Sequence, residues 1–383
     1  MTNIINEHSH GLAPVQMRSE RKRSTQIDDF SEISKSEEQW RYVDVERLKG
    51  LDAGLLPAFD GQISFSSPSG ASHEIAGIDD QLFGSAGIPE DRISAAAWGA
   101  AGQVHIVRIP ANFNSVEPIR LEVKGASAQA GALHIILDAG KFAEATIVID
   151  HQGQAVLAEN IEILAGDESK LKIVSVQDWT RDSVHVSAQF MKLGRNAQVE
   201  HIVVTLGGET VRVTPTVAYA APGGDANLLG AYFATSGQHF EHRPFVDHSQ
   251  PNCKSNVTYK GALQGEKAHT VWVGDVLIRK AAEGTDTYEL NRNLLLTDGA
   301  RADSVPNLEI ETGEIEGAGH ASASGRFDDE QLFYLQARGI PELDARRLVV
   351  RGFLNEVVQK IAVEDIEERL SASIEAELAR SIN

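Results

Sequence analysis

Residues 183–207 read SVHVSAQFMKLGRNAQVEHIVVTLG. Two runs rich in β-branched residues flank Gly-Arg-Asn-Ala, a turn signal whose last member is small. The same texture fills the chain from about residue 100 to residue 312, in VHIVRI, IRLEVKG, LHIILDA, ATIVIDH, KLKIVSV, TVRVTPTVAYA, NVTYKGAL and KAHTVWVGDVLI. Turns such as PGGDA, QGEKA and TDGARA separate the runs, and no helical periodicity interrupts them. Two architectures fit: a large β-sandwich, or a parallel β-helix whose coils lay each strand on the strand of the coil before. Length favours the solenoid, because so many short strands would need several stacked sandwiches, whereas a solenoid adds coils. An alanine after a turn also suits a crowded inward corner.

The flanks differ. Residues 24–48 read as helical or mixed, with Ile27, Phe30, Ile33, Trp40 and Leu48 as candidate buried positions, and the stretch LPAFDGQISFSSPSGASHEIAGID reads as loop-rich. After Gly325 the period becomes helical: Asp328, Asp329 and Glu330 set negative charge at a helix start, Gly339 ends that helix, and Pro341 opens a second. Ile366, Leu370, Ile374, Leu378 and Ile382 then recur every fourth residue as one apolar stripe. The expected organisation is a helical or mixed, loop-rich region over 1–99, a β core over 100–325 and a C-terminal helical domain over 326–383 that caps the core.

The composition is that of an ordinary soluble protein, 42% hydrophobic and 23% charged, and no apolar run reaches the roughly 20 residues that span a bilayer. The start of the chain shows neither a secretion nor a lipidation pattern, so a cytoplasmic address is expected. A net charge of −20 opposes binding to nucleic acid or anionic membranes, and the basic run RSERKR at 18–23 is short. One cysteine, Cys253, excludes an internal disulfide and zinc sites built on CxxC pairs. Absence of a P-loop, GxSxG, HExxH or kinase motifs argues against an autonomous NTPase, serine hydrolase or zincin.

Two histidine groups call for chemistry. HFEHRPFVDHSQPNC gathers His239, His242, His248 and Cys253, a donor set that can hold zinc or iron, although its spacing matches no strong signature. The competing reading has these side chains hydrogen-bonding at a coil corner, with Pro251-Asn252 making the turn. His320 stands alone among glycine, alanine and serine in GHASASG. It is either a bystander at a corner or an accessible imidazole waiting for a partner or metal.

RNLLL at 292–296, VPNLEIE at 305–311 and GHASASGRFDDEQLFYLQARGIPELDARRLVVRGF from Gly319 resemble the SufB/SufD family of iron–sulfur cluster assembly proteins. The likeness extends through HSQPNCKSNVTYKGAL and KAHTVW to the N-terminal EEQWRYVDVERL, and is weak between residues 50 and 190. The resemblance implies a right-handed parallel β-helix between helical ends. It further implies a non-catalytic scaffold that acts in a complex of SufB, SufD and the ATPase SufC, with a homodimer possible in isolation. ATP-driven closure of SufC would move the helices docked on it, and the β-helix would pass that movement to the SufB–SufD junction.

The SufC docking segment would comprise Asp328, Asp329, Glu330, Leu332, Phe333, Tyr334, Arg338 and Phe353. Cutting the chain at Asp328 is then expected to abolish docking and leave the strands folded. Asn291–Leu296 occupies the neighbourhood where SufB carries an acceptor cysteine, and Gly319 replaces the glutamate that precedes the SufB histidine. The chain therefore resembles the SufD branch, and the resemblance makes His320 the candidate ligand for iron or a transient cluster shared with SufB. A cluster commonly takes four protein ligands, mostly thiolates, so a chain with one cysteine is expected to hold none stably alone. A carbohydrate-binding or carbohydrate-cleaving β-helix is the alternative; it calls for carboxylates clustered on one strand face, and here the acids are scattered. A flavin in the complex is left open.

Overall fold

The computed structural model describes residue 18 and residues 21–100, 102–326 and 329–380. Its strands wind into a parallel β-helix with helices towards both ends, so the solenoid and not the sandwich is the fold. On the first face, Lys170–Trp179, Gln198–Thr205, Asp225–Ala234, Lys254–Leu263, Asp286–Leu295 and Gly317–Gly325 lie in parallel register, one coil above the next. On the second face the stack is Val184–Leu193, Thr210–Tyr219, His239–His242 with Phe245–His248, His269–Ile278 and Arg301–Ile310. In the early coils the long strands Ile119–Ala139 and Glu144–Ala165 bend to serve both faces. Side chains that bond across neighbouring coils are 26 to 34 residues apart, as in His185–Glu159 and His269–Asp303.

The corners explain the recurring small residue. Asn112, Phe142, Glu168, Asn196 and Asn252 adopt left-handed φ between 51° and 62°, and Gly223 and Gly284 take φ of 80° and 69° at the equivalent corners. Each turns its N–H onto the carbonyl of the next coil, as in Asn196 to Pro222 (3.1 Å), Gly223 to Pro251 (3.2 Å) and Asn252 to Glu283 (2.7 Å). Ala143, Ser169, Ala197, Cys253 and Thr285, which follow later corners, form a buried column of small side chains, whereas Phe113 follows the first corner, at Asn112. Cys253 is one member of that column.

Inward residues from both faces, including Ile147, Ile149, Leu157, Ile161, Val199, Val213, Leu228 and Trp272, form the main core. Glycine shapes it at two places. A Cβ at Gly230 would meet the Tyr259 ring at 2.1 Å, and one at Gly261 would meet the Tyr232 ring at 2.0 Å, so each tyrosine lies across the other strand's glycine.

Each face is also covered on its outside. Ile33, Trp40, Val43, Leu48, Leu51 and helix α1 (Arg92–Ala100) pack on Val156, Ala158, Val184 and Val186 of the second face. Ile27 and Phe30 are only half-buried. Within the stretch read as loops, Gln62–Ser66 and Ser72–Ala76 form strands that close the first coils in antiparallel pairing. They are only five residues long and set among glycine, serine and proline, so strand periodicity is faint there, although Ile63 and Phe65 turn together onto the main core.

The C-terminal segment forms α2 (Asp329–Ala337), α3 (Glu342–Val358) and α4 (Glu364–Arg380). Here the structure departs from the expected cap. Val350, Leu354 and Val357 of α3 and Ile366, Leu370, Ile374 and Leu378 of α4 share a core with Val148, Val174, Val176, Ile202, Val204 and Phe233 on the outside of the first face. Arg369 holds Asp150 (2.8 Å) and Arg120 holds Asp365 (2.7 Å), fixing α4 along the solenoid's flank. A chain cut at Asp328 would bare this whole apolar face. It should aggregate or lose its cooperative thermal transition by circular dichroism and size-exclusion chromatography, contrary to the expectation that docking and folding separate there.

Candidate functional site

The two ends of the solenoid differ. At the start, the antiparallel strands Gln62–Ser66 and Ser72–Ala76 occupy the free edges. At the finish, Gly317–Gly325 pairs with Asp286–Leu295 on one side, and Arg301–Ile310 pairs with His269–Ile278 on one side; among the described residues no strand covers their other edges. An uncovered strand edge offers a row of N–H and C=O groups to another chain. His320 lies on this last strand, beside Glu289 of the coil below, and its side chain is exposed among Gly319, Ala321 and Ser322. Small neighbours, a terminal coil and an open edge together make it accessible.

A polar array lies beneath the open end. Tyr232 donates its hydroxyl to Asn293 Oδ1 (2.7 Å), and Asn291 Nδ2 donates to the Tyr232 oxygen (3.0 Å). Ser304 donates to Asn291 Oδ1 (2.6 Å), and Asn293 Nδ2 reaches Ser324 Oγ (3.2 Å) on the His320 strand. Glu289 is buried beside this array with neither carboxylate oxygen hydrogen-bonded. Burial, reinforced by the charge of Asp275, pushes its pKa up to about 8. Asn291 and Asn293, in the stretch that the sequence picked out only for lacking a cysteine, thus connect the interior to the exposed strand. Glu289 had no sequence signal, because nothing in DTYELNRN tells which alternate residues turn inward.

The group His239, His242, His248 and Cys253 does not converge. His239 Nδ1 meets His269 Nδ1 at 3.1 Å, and His269 bonds Asp303 through Nε2 at 2.7 Å. His242 bonds the Thr205 hydroxyl (3.0 Å) and stacks on Tyr232. His248 bonds Ser255 Oγ (2.9 Å) across the Asn252 corner, as the structural reading has it. Strand alternation and the break between His242 and Phe245 send neighbours in sequence to different surroundings.

The conspicuous N-terminal Trp40 anchors the second face. Arg212 stacks over Trp40 at 4.1 Å, and the Gln39 carbonyl accepts from Arg212 (3.3 Å) and Arg243 (2.7 Å). Both guanidiniums bond Glu241, at 3.0 and 3.1 Å. Burial alone would raise the Glu241 pKa, but His239, Arg212 and Arg243 hold it well below the usual carboxylate range.

Asp328 lies outside the described residues, as do the side chains of Asp329 and Glu330. On α2, Leu332 is buried, whereas Phe333 and Tyr334 are 72% and 55% exposed, and Arg338 stacks over Tyr334 at 4.4 Å. Phe353, on α3, is buried on its own chain under Lys260. The accessible apolar surface of this segment is thus the Phe333–Tyr334 side of α2, with Leu343 and Leu348 also exposed on α3. Among the described residues no helix is long and apolar enough to cross a membrane.

The chain is similar to known proteins over most of its length. Residues 122–353 match the family described as SUF system FeS cluster assembly, SufBD core domain. An iron–sulfur cluster assembly SufBD family protein of Mycobacterium leprae is 50% identical over 93% of this chain and 93% of its own length. One from Mycobacterium tuberculosis strain H37Rv is 49% identical over 93% of this chain and 91% of its own length. A second SufBD family protein of Mycobacterium leprae is 24% identical over 60% of this chain and 27% of its own length. On these grounds the chain belongs to the SufB/SufD family of iron–sulfur cluster assembly proteins.

Proposed function

We propose that this chain is the SufD-type, non-catalytic scaffold subunit of a cytoplasmic complex with a SufB-type partner and the ATPase SufC. The observation that carries this reading is the uncovered end of the solenoid, where an edge strand of small residues presents one exposed imidazole, His320. Edge-to-edge pairing with a second β-helix would satisfy that strand and place His320 at the junction. There the imidazole gives nascent iron or cluster a ligand whose thiolate companions come from the partner. Cys253 offers none, being buried in a corner column, and burial raises its pKa.

That Mycobacterium leprae has two SufBD family proteins, one similar to this chain throughout and one distantly, supports pairing of unlike members. SufC is received on the exposed Phe333 and Tyr334 of α2, and α3, locked to the first face, carries its movement into the solenoid. No stable cluster resides on the chain alone; iron or cluster is cargo. Membership of an assembly family takes the place of the carbohydrate alternative.

The test is co-expression with a SufB-type protein and SufC. His320→Ala removes an exposed side chain from among small ones, so complex assembly and melting temperature should match wild type while iron and sulfide on the complex fall at least about tenfold. Phe333→Glu should release SufC and spare the pairing of the two β-helices. Normal cluster content in the His320→Ala complex, or unaltered SufC capture by Phe333→Glu, would refute the corresponding assignment.

A further inference from the structure

We propose that His151, Glu159 and His185 form a site for one divalent first-row cation, zinc or ferrous iron, enclosed within the early coils and separate from His320. The three side chains are 0–1% exposed and face one another where Glu144–Ala165 bends from the first face to the second. His151 precedes the bend at Gly153, Glu159 follows it, and His185 lies on the next coil. His151 Nε2 is 2.9 Å from Glu159 Oε1, and His185 Nε2 is 3.2 Å from Glu159 Oε2. One donor atom from each residue falls within 4.8 Å of the others. Separations near 3 Å are what metal–ligand bonds of about 2.0–2.1 Å set between neighbouring donors.

The far sides of the two rings point the same way. His151 Nδ1 is 2.9 Å from the Val176 carbonyl, which can only accept, so that nitrogen carries a proton. His185 Nδ1 lies between Gln177 Oε1 (2.7 Å), which asks for a proton on the ring, and the Trp179 Nε1–H (3.2 Å), which asks for a lone pair. Both Nε2 atoms are then left facing one carboxylate. Protonating both would bury two imidazolium ions against a single negative charge, which burial disfavours. Leaving one bare sets a nitrogen lone pair against a carboxylate oxygen. A cation between them removes the conflict: both Nε2 atoms donate, Glu159 balances charge, and Ser187 supports Glu159 with a hydroxyl donated to Oε2 at 2.9 Å. Ligating histidines characteristically spend the other ring N–H on a carbonyl or similar acceptor, as His151 does here.

Two imidazoles and a carboxylate are a donor set shared by zinc and ferrous iron. Because the site is enclosed, the ion enters during folding, and its effect is to tie the two faces at the bend. The ion-free alternative is concrete. Trp179 Nε1 donates to His185 Nδ1 at 3.2 Å, and in that tautomer, with the Gln177 amide turned end for end, His185 Nε2–H donates to Glu159 with His151 as the sole imidazolium.

The full chain would be produced in media supplemented with zinc, iron or cobalt, dialysed, and assayed for metal. Wild type and His320→Ala should each retain about one ion per chain, with visible d–d bands in the cobalt form, and Glu159→Gln should retain at least about tenfold less. If Glu159→Gln does not fold, wild type refolded with and without cobalt decides. Paramagnetically shifted imidazole resonances support the site. Metal-free wild type, or equal ion content in wild type and folded Glu159→Gln, overturns the proposal, as does an imidazole spectrum unchanged by cobalt with His185 protonated at Nε2. His320→Ala keeps this outcome independent of the cargo site.

Discussion

Lowering the pH from 6 to 5 should cost this protein about 2 kcal/mol of stability, and unfolding in urea at each pH should show it. His201, His242 and His248 are buried inside the solenoid, and desolvation lowers their pKa values to about 4, about 3 and about 4. In the unfolded chain an imidazole titrates near 6.5, so below that pH the unfolded state binds three protons that the folded state refuses. Stability from these groups is present above pH 6.5 and is lost as pH falls towards their folded values. Glu289 opposes them by one proton, holding its own to about pH 8, which leaves a net of about two. His242→Gln keeps an amide near the Thr205 hydroxyl but removes one titrating group. Its absolute stability will change through lost stacking on Tyr232; the diagnostic readout is the slope of stability against pH near pH 5, which should fall by about 1.4 kcal/mol per unit. A flat stability profile between pH 7 and 5 would show that water reaches these imidazoles.

The second large effect lies at the other end of the pH scale. Glu289 has a folded pKa of about 8 against an unfolded value near 4.5, because its carboxyl is buried with no hydrogen-bond partner and near Asp275. The contribution of such a group is fully present below pH 4.5 and is lost as pH rises through 8, since the unfolded chain sheds the proton first. Glu289→Gln preserves size and removes the ionisation. It should therefore stabilise the isolated chain by on the order of 3 kcal/mol at pH 8, with the gain vanishing near pH 4. Equal denaturation midpoints for Glu289→Gln and wild type at pH 8 would mean that the carboxylate is solvated or paired in solution.

Much of the architecture could be read from the residues. The β-branched runs, the loosely spaced turns and the alanine recurring after them pointed to stacked coils, and Ala143, Ala197 and Ala268 are buried at corners as a crowded inward corner implies. The helical stripe Ile366, Leu370, Ile374, Leu378 was legible because its period is local. The motif around His320 carried the family, and the sequence comparisons reached the same family.

What needed the tertiary structure was everything set by which strand neighbours which and by which side chains turn inward. Local periodicity says that a helix has an apolar side but not what it covers, so α3 and α4 were expected to cap the core without the surface being known, and they lie along the outside of its first face. Strand alternation sends His239, His242 and His248 into separate environments although all three lie within ten residues of sequence. Conversely, His151 and His185 meet on Glu159 across a bend and a coil, a contact fixed by parallel register rather than by proximity in the chain. By itself the sequence determined the class of fold, the family and the accessible histidine. Only coil stacking decided which polar residues are enclosed, because burial in a solenoid depends on residues a full coil away.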